Sequence, residues 1–373
     1  RYGSPLPSDV TQRLSYELSV IKNTGFSGYF LVVKEIVDFV QREEIPQGVG
    51  RGSAAGSLVA YCLGITQVDP IKYRLIFERF LNPERISPPD IDIDLCHRGR
   101  REVLSFIRKR FGHDSIAHAG AFSTLQARAV LRDTGRALKL DYDKIDQMCS
   151  LIPYSNMTLE QAVAQSPHLA ALIRWDPDIK KVFEIAVHLQ GLPRHMTQHS
   201  AGVVIAEKPL TEYVPLQRAS GHEIITQVDM DMLEDLGLVK IDLLGLRFLT
   251  VIGDTLNMVH KRHGIKLSME DIPLDDPNTY DALCRGDTTS TFQLESSGMR
   301  NILKELKPNC FEDIIAVVAL YRPGPMEQIP EFIRRKRGGQ VSYLHPKLEP
   351  ILKSTYGIIV YQEQVMQIVR DLA

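Results

Sequence analysis

Residues 90–95 read Asp-Ile-Asp-Ile-Asp-Leu, and strict alternation of this kind is the signature of a β-strand that buries one face and exposes the other. Side chains two apart share a face, so Asp90, Asp92 and Asp94 line one side while Ile91, Ile93 and Leu95 line the other. The chain must therefore build a sheet here, with a core under the apolar side. The carboxylate side is the unusual one. Aspartate is depleted in strands and like charges along one face repel, so a bound cation is the natural reason to keep three of them. Hard oxygen ligands on a rigid strand suit Mg²⁺, which takes a few carboxylates together with waters and phosphate oxygens. The competing readings are a solvated face of an edge strand and a structural Ca²⁺-type site.

Other segments bear on that choice. Gly50-Arg51-Gly52-Ser53, followed by Gly56-Ser57, is a glycine-rich turn opening a helix-like run, where backbone N–H groups and a hydroxyl can meet a phosphate. It lacks the Gly-Lys-Ser/Thr ending of a Walker A loop, and a tight turn before a core helix reads equally well; Arg51 favours the phosphate. Leu238–Leu243 (LVKIDL) is strand-like, with Lys240 and Asp242 on one face. Such a pair is usually solvated, but it also offers a third carboxylate to Asp90 and Asp92 and a lysine near phosphates. His199 in HSAGVVIA reads as a general base or, more commonly, a satisfied core or loop histidine. Arg98, Arg100, Arg101, Arg108, Lys109 and Arg110 against Glu102 form one basic run, and Arg334–Arg337 a second. Each is a solvated helix face or a phosphate-backbone contact.

Around these motifs, Ser8–Asn23 reads as a capped amphipathic helix. Tyr29–Val40 reads as a buried helix, with a strand running into a helix as the alternative. From Arg100 to Val187 nearly everything is helix-like, with breaks at Gly112, Pro153, Pro167 and Pro177, which predicts an all-helical insertion. Strand-like runs at 202–206, 224–228 and 238–243 follow, and helical patterns resume from Leu246 to His263 and continue to the end. The class is α/β in the α+β sense. At about 100–200 residues per domain, 373 residues give two or three domains with their own cores. The formal charge of −2, from 44 Lys+Arg against 46 Asp+Glu, excludes a uniformly basic nucleic-acid coat but not local patches. The longest apolar run, Ile314–Tyr321, is too short to span a bilayer. The five cysteines are scattered without a CxxC pair, which disfavours a disulfide frame and a zinc site and makes a reducing cytoplasm the default. A first residue other than Met and a final helical pattern without a stop signal at Ala373 suggest a piece of a longer chain.

In order, GRGSAAGSLVAY, FERFLNPERISPPDIDIDL, HSAGVVIA, GLVKIDLLGLR, TFQLESSGM, ALYRPGP and YGIIVYQEQVMQI closely resemble the α (catalytic) subunit of bacterial DNA polymerase III, more the DnaE type than the PolC type. The resemblance runs from Gly28 to Ile368. It implies a mixed-sheet palm similar to the polymerase β-like nucleotidyltransferases, with a helical thumb insertion and mainly helical fingers: palm at 1–121 and 199–247, thumb at 122–198, truncated fingers at 248–373. It also implies that Gly52 and Ser53 hold the incoming triphosphate, that Asp90, Asp92 and Asp242 hold two Mg²⁺, and that Arg51, Lys240 and Arg322 support the triphosphate. On this reading Asp94 falls outside the metal-binding set.

The activity implied is DNA-templated transfer of dNMP to a primer 3′-hydroxyl. Primer-template DNA and dNTP are the substrates. The sliding clamp and other replisome subunits would be bound through regions outside this chain. Ser200-Ala201-Gly202 departs from the family's glycine-rich stretch, and GLPRHMTQH also occurs in error-prone relatives, so a translesion role is the alternative to a replicative one. Two further rivals are a small-substrate nucleotidyltransferase, which would leave RPGP and YQEQV unexplained, and a core that binds DNA and nucleotide without polymerising on its own.

Overall fold

A computed structural model describes residues 2–84, 88–154, 157–219 and 223–372, with the side chain of Glu270 left out. Among these residues six strands form one mixed sheet, in the order β1-β6-β3-β2-β5-β4. The strands are β1 (Asp92–Cys96), β2 (Ile116–Thr124), β3 (Pro193–Ile205), β4 (Leu216–Arg218), β5 (Ile224–Thr226) and β6 (Val239–Leu246). β1 runs parallel to β6 with Asp92 beside Asp242, and β6 runs antiparallel to β3 with Asp242 beside Gly202. The register thus brings three distant stretches of sequence to one point on the sheet.

The apolar half of the alternation does what the pattern predicts. Ile91, Ile93 and Leu95 are buried against Phe30, Val33 and Val37 of α2 (Ser27–Arg42). Val103 and Ile107 of α4 (Arg100–Phe111) share that core, as do Ile241 and Leu243 of β6. α2 is one continuous helix, as its length suggests. α1 (Ser8–Asn23) also forms where expected, although Pro7, not a serine or aspartate side chain, occupies its N-cap. α3 (Leu58–Cys62) follows a 3₁₀ turn at Gly52–Gly56. Val203 and Ile205 of β3 face this core, and Val204 faces a second one with Ala117, Ala119, Leu210 and Leu233. Both faces of the sheet are therefore covered.

One prediction needs correcting. The stretch 100–187 is not all helical, because β2 lies inside it and pairs antiparallel with β3 from Ile116↔Ile205 to Thr124↔Pro193. Its sequence, IAHAGAFST, is built of small residues with weak strand propensity. Packing explains them: a Cβ at Gly120 would lie 2.4 Å from the Thr226 carbonyl oxygen, so the close approach of β5 requires glycine. At the far end of the β2–β3 pair sit the helices α5 (Ala127–Ala137), α6 (Tyr142–Ser150), α7 (Leu159–Gln165), α8 (Pro167–Trp175) and α9 (Pro177–Leu189). They enclose their own core of Leu131, Met148, Ile152, Leu169 and Val182. Their starts are set by local chemistry, a capping box at Thr158/Gln161 in α7 and Asp176 capping α9 ahead of Pro177.

α10 (Met230–Asp235) precedes β6, and α11 (Arg247–His263) follows it, ending on Gly264 in the left-handed conformation. The helices α12 (Pro277–Arg285), α13 (Ser297–Leu306), α14 (Phe311–Leu320), α15 (Ile329–Lys336), α16 (Glu349–Leu352) and α17 (Gln362–Leu372) complete the order. Leu303, Val317, Leu320 and Phe332 centre a core of their own here. No described helix is long and apolar enough to cross a membrane, and no disulfide joins the cysteines.

Candidate active site

Asp92 opens β1, Asp90 lies just ahead of it, and Asp242 stands beside Asp92 on β6. One carboxylate oxygen from each lies within 4.8 Å of the others, the one such group of potential metal ligands among the described residues. Asp242 is half-buried, and its Oδ1 is a buried oxygen with no hydrogen-bond partner. A buried acceptor left open beside two other carboxylates is costly unless a cation completes it. Burial, reinforced by Asp90 and Asp242, pushes the Asp92 carboxyl up to about 6. Burial likewise raises Asp242, with Asp90 adding to the rise and Lys240 opposing it. The donor set, all hard oxygens, fits Mg²⁺.

Lys240 partly offsets the clustered charge. Its ammonium lies 3.3 Å from Asp90, 3.2 Å from Glu234 of α10 and 4.0 Å from Asp242. Burial disfavours the ammonium, but Asp90, Asp242 and Glu234 together outweigh it and hold the lysine pKa above its ordinary value. Across the site, Pro46–Gly48 lies along the free edge of β1: the Gly48 N–H bonds the Asp94 carbonyl at 2.9 Å and the Cys96 N–H bonds the Pro46 carbonyl at 2.8 Å. That docking carries the following loop past Asp92, and a Cβ on Gly52, whose φ is +62°, would sit 3.7 Å from Asp92 Oδ2. Arg51 turns to Asp94, its Nε donating to Oδ1 at 3.1 Å. Asp94 thus lies outside the group of three carboxylates that converge.

The second half of the glycine-rich turn has a different role from the one the sequence offered. Ser57 caps α3, and its hydroxyl donates to the fully buried Glu17 at 2.9 Å. The N–H groups of Leu58 and Val59 also donate to Glu17, and Arg13 pairs with it at 2.6 Å. The helix end that could have met a phosphate is therefore filled by an internal carboxylate. Gly52 remains beside Asp92, with Ser53 next to it in the chain. Arg322, past α14, is exposed, and its side chain makes no hydrogen bond or ion pair with the carboxylates among the described residues. His199 lies beside the triad: its Nδ1 accepts from the Gly202 N–H at 2.8 Å, and it is among the groups whose charge acts to lower the Asp242 pKa. Gly202 has to be glycine, since a Cβ there would meet His199 Nδ1 at 2.9 Å and Asp242 Oδ1 at 3.3 Å. A cavity of about 1040 Å³, walled by Gly48, Val49, Asp94, Phe248, Ile252 and Phe292, opens beside the loop and excludes the triad.

Most residues of the basic runs have partners within the chain, several of them in exposed pairs. Arg98 pairs with Asp254 at 2.5 Å, Arg108 with Glu223 and Arg110 with Glu35. Arg100 donates to the carbonyls of Leu243 and Ser200. In α15, Arg334 and Arg335 pair with Glu331 and Lys336 with the buried Asp313.

A family model described as the bacterial DNA polymerase III alpha NTPase domain matches residues 1–245, and one described as the finger domain of the same subunit matches 248–373. The chain belongs to the bacterial DNA polymerase III alpha family. Proteins named DNA polymerase III subunit alpha are similar to it at 51% identity in Bacillus subtilis and 49% in Halalkalibacterium halodurans, in each case over 100% of this chain and 34% of the relative. The Thermus aquaticus protein of that name is 47% identical over 98% of this chain and 31% of its own length. The chain thus spans about a third of the length of these relatives. Two buried residues, Glu17 and Tyr29, escaped the sequence reading. Glu17 was detectable, as an acid on the apolar stripe of α1 between Val10 and Ile21. Tyr29 looked like any other core aromatic.

Proposed function

We propose that this chain is the catalytic core of a DNA-templated DNA polymerase, transferring dNMP from a dNTP to a primer 3′-hydroxyl with release of pyrophosphate. The observation that carries the reading is the convergence of Asp90, Asp92 and Asp242, with the Asp242 Oδ1 buried and open, beside the Gly52–Ser53 loop. Two Mg²⁺ held by these aspartates would supply an acidified primer hydroxyl and a neutralised triphosphate. The chain itself orients the reactants: Gly52 and Ser53 offer backbone and hydroxyl donors to the phosphates, and Arg51 and Lys240 bring positive charge to either side. Arg322, exposed just past α14, would add a further positive charge for the triphosphate. Positioning and fixed charge do most of the work in such chemistry, and no covalent nucleophile is required.

On this reading residues 1–121 and 199–247 form the palm, 122–198 the thumb and 248–373 part of the fingers. The separate cores of the α5–α9 block and of the α12–α17 helices favour that division. Primer-template DNA is the partner, clamp and replisome subunits would bind elsewhere in the longer protein, and the bacterial cytoplasm is where it would act. In the full-length protein Asp242→Ala should abolish primer extension while the fold survives; extension at the wild-type rate would overturn the proposal. Binding of primer-template that weakens steeply with salt separates a polymerase from an enzyme acting on nucleotides alone.

A further inference from the structure

Tyr29 is 6% exposed, on the face of α2 that lies under β1 and β6. Its hydroxyl accepts from the Ile91 N–H at 3.0 Å and donates to the Lys240 carbonyl at 3.2 Å. Those two groups flank the triad: Ile91 separates Asp90 from Asp92, and Lys240 stands two residues before Asp242. The even-numbered backbone groups of β1 face away from β6, since the Asp94 carbonyl and the Cys96 N–H are taken by Gly48 and Pro46. The Ile91 N–H therefore faces β6, where continuation of the parallel ladder would give it the Lys240 carbonyl. The ladder instead stops at Asp92↔Asp242, and the phenol stands between the two strands as a spacer that satisfies both groups.

We propose that Tyr29 is a positioning residue for the metal centre: its hydroxyl holds β1 and β6 apart at one rung and so sets the gap across which Asp90, Asp92 and Asp242 face one another. A direct rung would draw the Ile91 amide onto Lys240 and move Asp90 with it. Burial pushes the Tyr29 hydroxyl above its ordinary pKa, so it stays protonated and keeps its donor. The inference rests on the metal-binding reading of the triad.

The test is Mn²⁺ binding to the full-length protein, measured by electron paramagnetic resonance alongside the melting temperature, for wild type, Asp242→Asn and Tyr29→Phe. Tyr29→Phe should bind Mn²⁺ about tenfold more weakly, the usual scale for a residue that orients metal ligands, while remaining folded. Wild-type Mn²⁺ affinity in Tyr29→Phe, with or without a lower melting temperature, would overturn the assignment, provided Asp242→Asn loses binding. If Asp242→Asn binds as wild type does, the metal reading itself fails, and this inference with it. Should Tyr29→Phe not fold, replacing Tyr29 by 3-fluorotyrosine keeps both hydrogen bonds with a weaker acceptor. Mn²⁺ affinity should then fall roughly twofold, and an unchanged affinity overturns the proposal.

Discussion

The acidic end of β1 and the basic face of α15 are similar in sequence, short runs dense in one charge, yet the fold treats them in opposite ways. In α15 the carboxylate of Glu331 is hydrogen-bonded by Arg334 and then Arg335, and its pKa is pulled down to about 2. At β1 the Asp92 carboxyl is buried beside Asp90 and Asp242 and pushed up to about 6. Matched charge of the first kind is neutralised within its own helix and, being exposed, adds little stability. Mismatched charge of the second kind costs stability and persists at sites that have a ligand to bind. Local charge density in the sequence is therefore less informative than whether the fold returns a counter-charge.

The largest effect expected from that difference is at the triad. Asp92→Asn in the full-length protein should reduce primer extension by about 10³-fold or more, the scale at which a single charge-stabilising group operates. Measured without divalent cation, its melting temperature should equal or exceed that of wild type, because a repelling carboxylate has gone. A marked loss of metal-free stability would show that the carboxylates are structurally matched after all.

Lys336→Met is the converse experiment. It strands Asp313, which is 2% exposed and otherwise held by Lys336 at 3.0 Å and the Asn309 N–H. Removing one partner of a buried pair costs roughly 3–5 kcal/mol, so denaturant unfolding should register a clear loss. The salt dependence of DNA binding should stay as it was. A shallower salt slope with unchanged stability would return α15 to the phosphate-contacting role its composition suggests.

How far these two regions could be told apart beforehand depended on where their partners lie. The alternation at 90–95 was legible because period and burial act within six neighbouring positions. The convergence of Asp242 on Asp92 was only one option in the residues, beside a solvated pair, and it was the resemblance that favoured it, since parallel pairing of strands so far apart leaves no local mark. The partners of the basic runs were hidden for the same reason: Arg110 meets Glu35, Arg108 meets Glu223 and Arg98 meets Asp254 through sequence separations of 75, 115 and 156. β2 was missed because close packing against β5 selects small residues that carry no strand signal. The phosphate reading of Gly56–Ser57 failed because its occupant, Glu17, comes from α1.

The opposite shifts predict opposite pH slopes. The folded pKa of Asp92 lies above its ordinary 3.8, so the native state binds the extra proton and this group's contribution to stability increases as pH falls from about 6 towards 3.8. For Glu331, lowered from 4.5 to about 2, the contribution is complete above 4.5 and is lost as pH falls towards 2. Subtracting the stability profile of Asp92→Asn, and separately of Glu331→Gln, from that of metal-free wild type isolates each slope. Two slopes of the same sign would remove the contrast. Since protons compete with cations at Asp92, Mn²⁺ affinity should also weaken more steeply below pH about 6.

The smallest effect concerns Asp94, which lies between the two cases. It belongs to the acidic run by sequence but is matched in the structure, by Arg51 at 3.1 Å, and its register partner on β6 is Leu244, not an acid. Its own side chain is 13% exposed and that of Arg51 43%, so the pair adds little stability. Its consequence is orientation, because it fixes the guanidinium beside the Gly52–Ser53 loop. Asp94→Asn should then raise the KM for dNTP several-fold, the roughly 1 kcal/mol scale of one oriented polar contact, and leave kcat within about twofold. Arg51→Ala should raise KM at least as much, and the double variant should be no worse than Arg51→Ala alone, since Asp94 acts only through the arginine. Additive losses would mean that Asp94 meets the nucleotide or its metal directly, and a collapse of kcat in Asp94→Asn would place it with Asp90, Asp92 and Asp242.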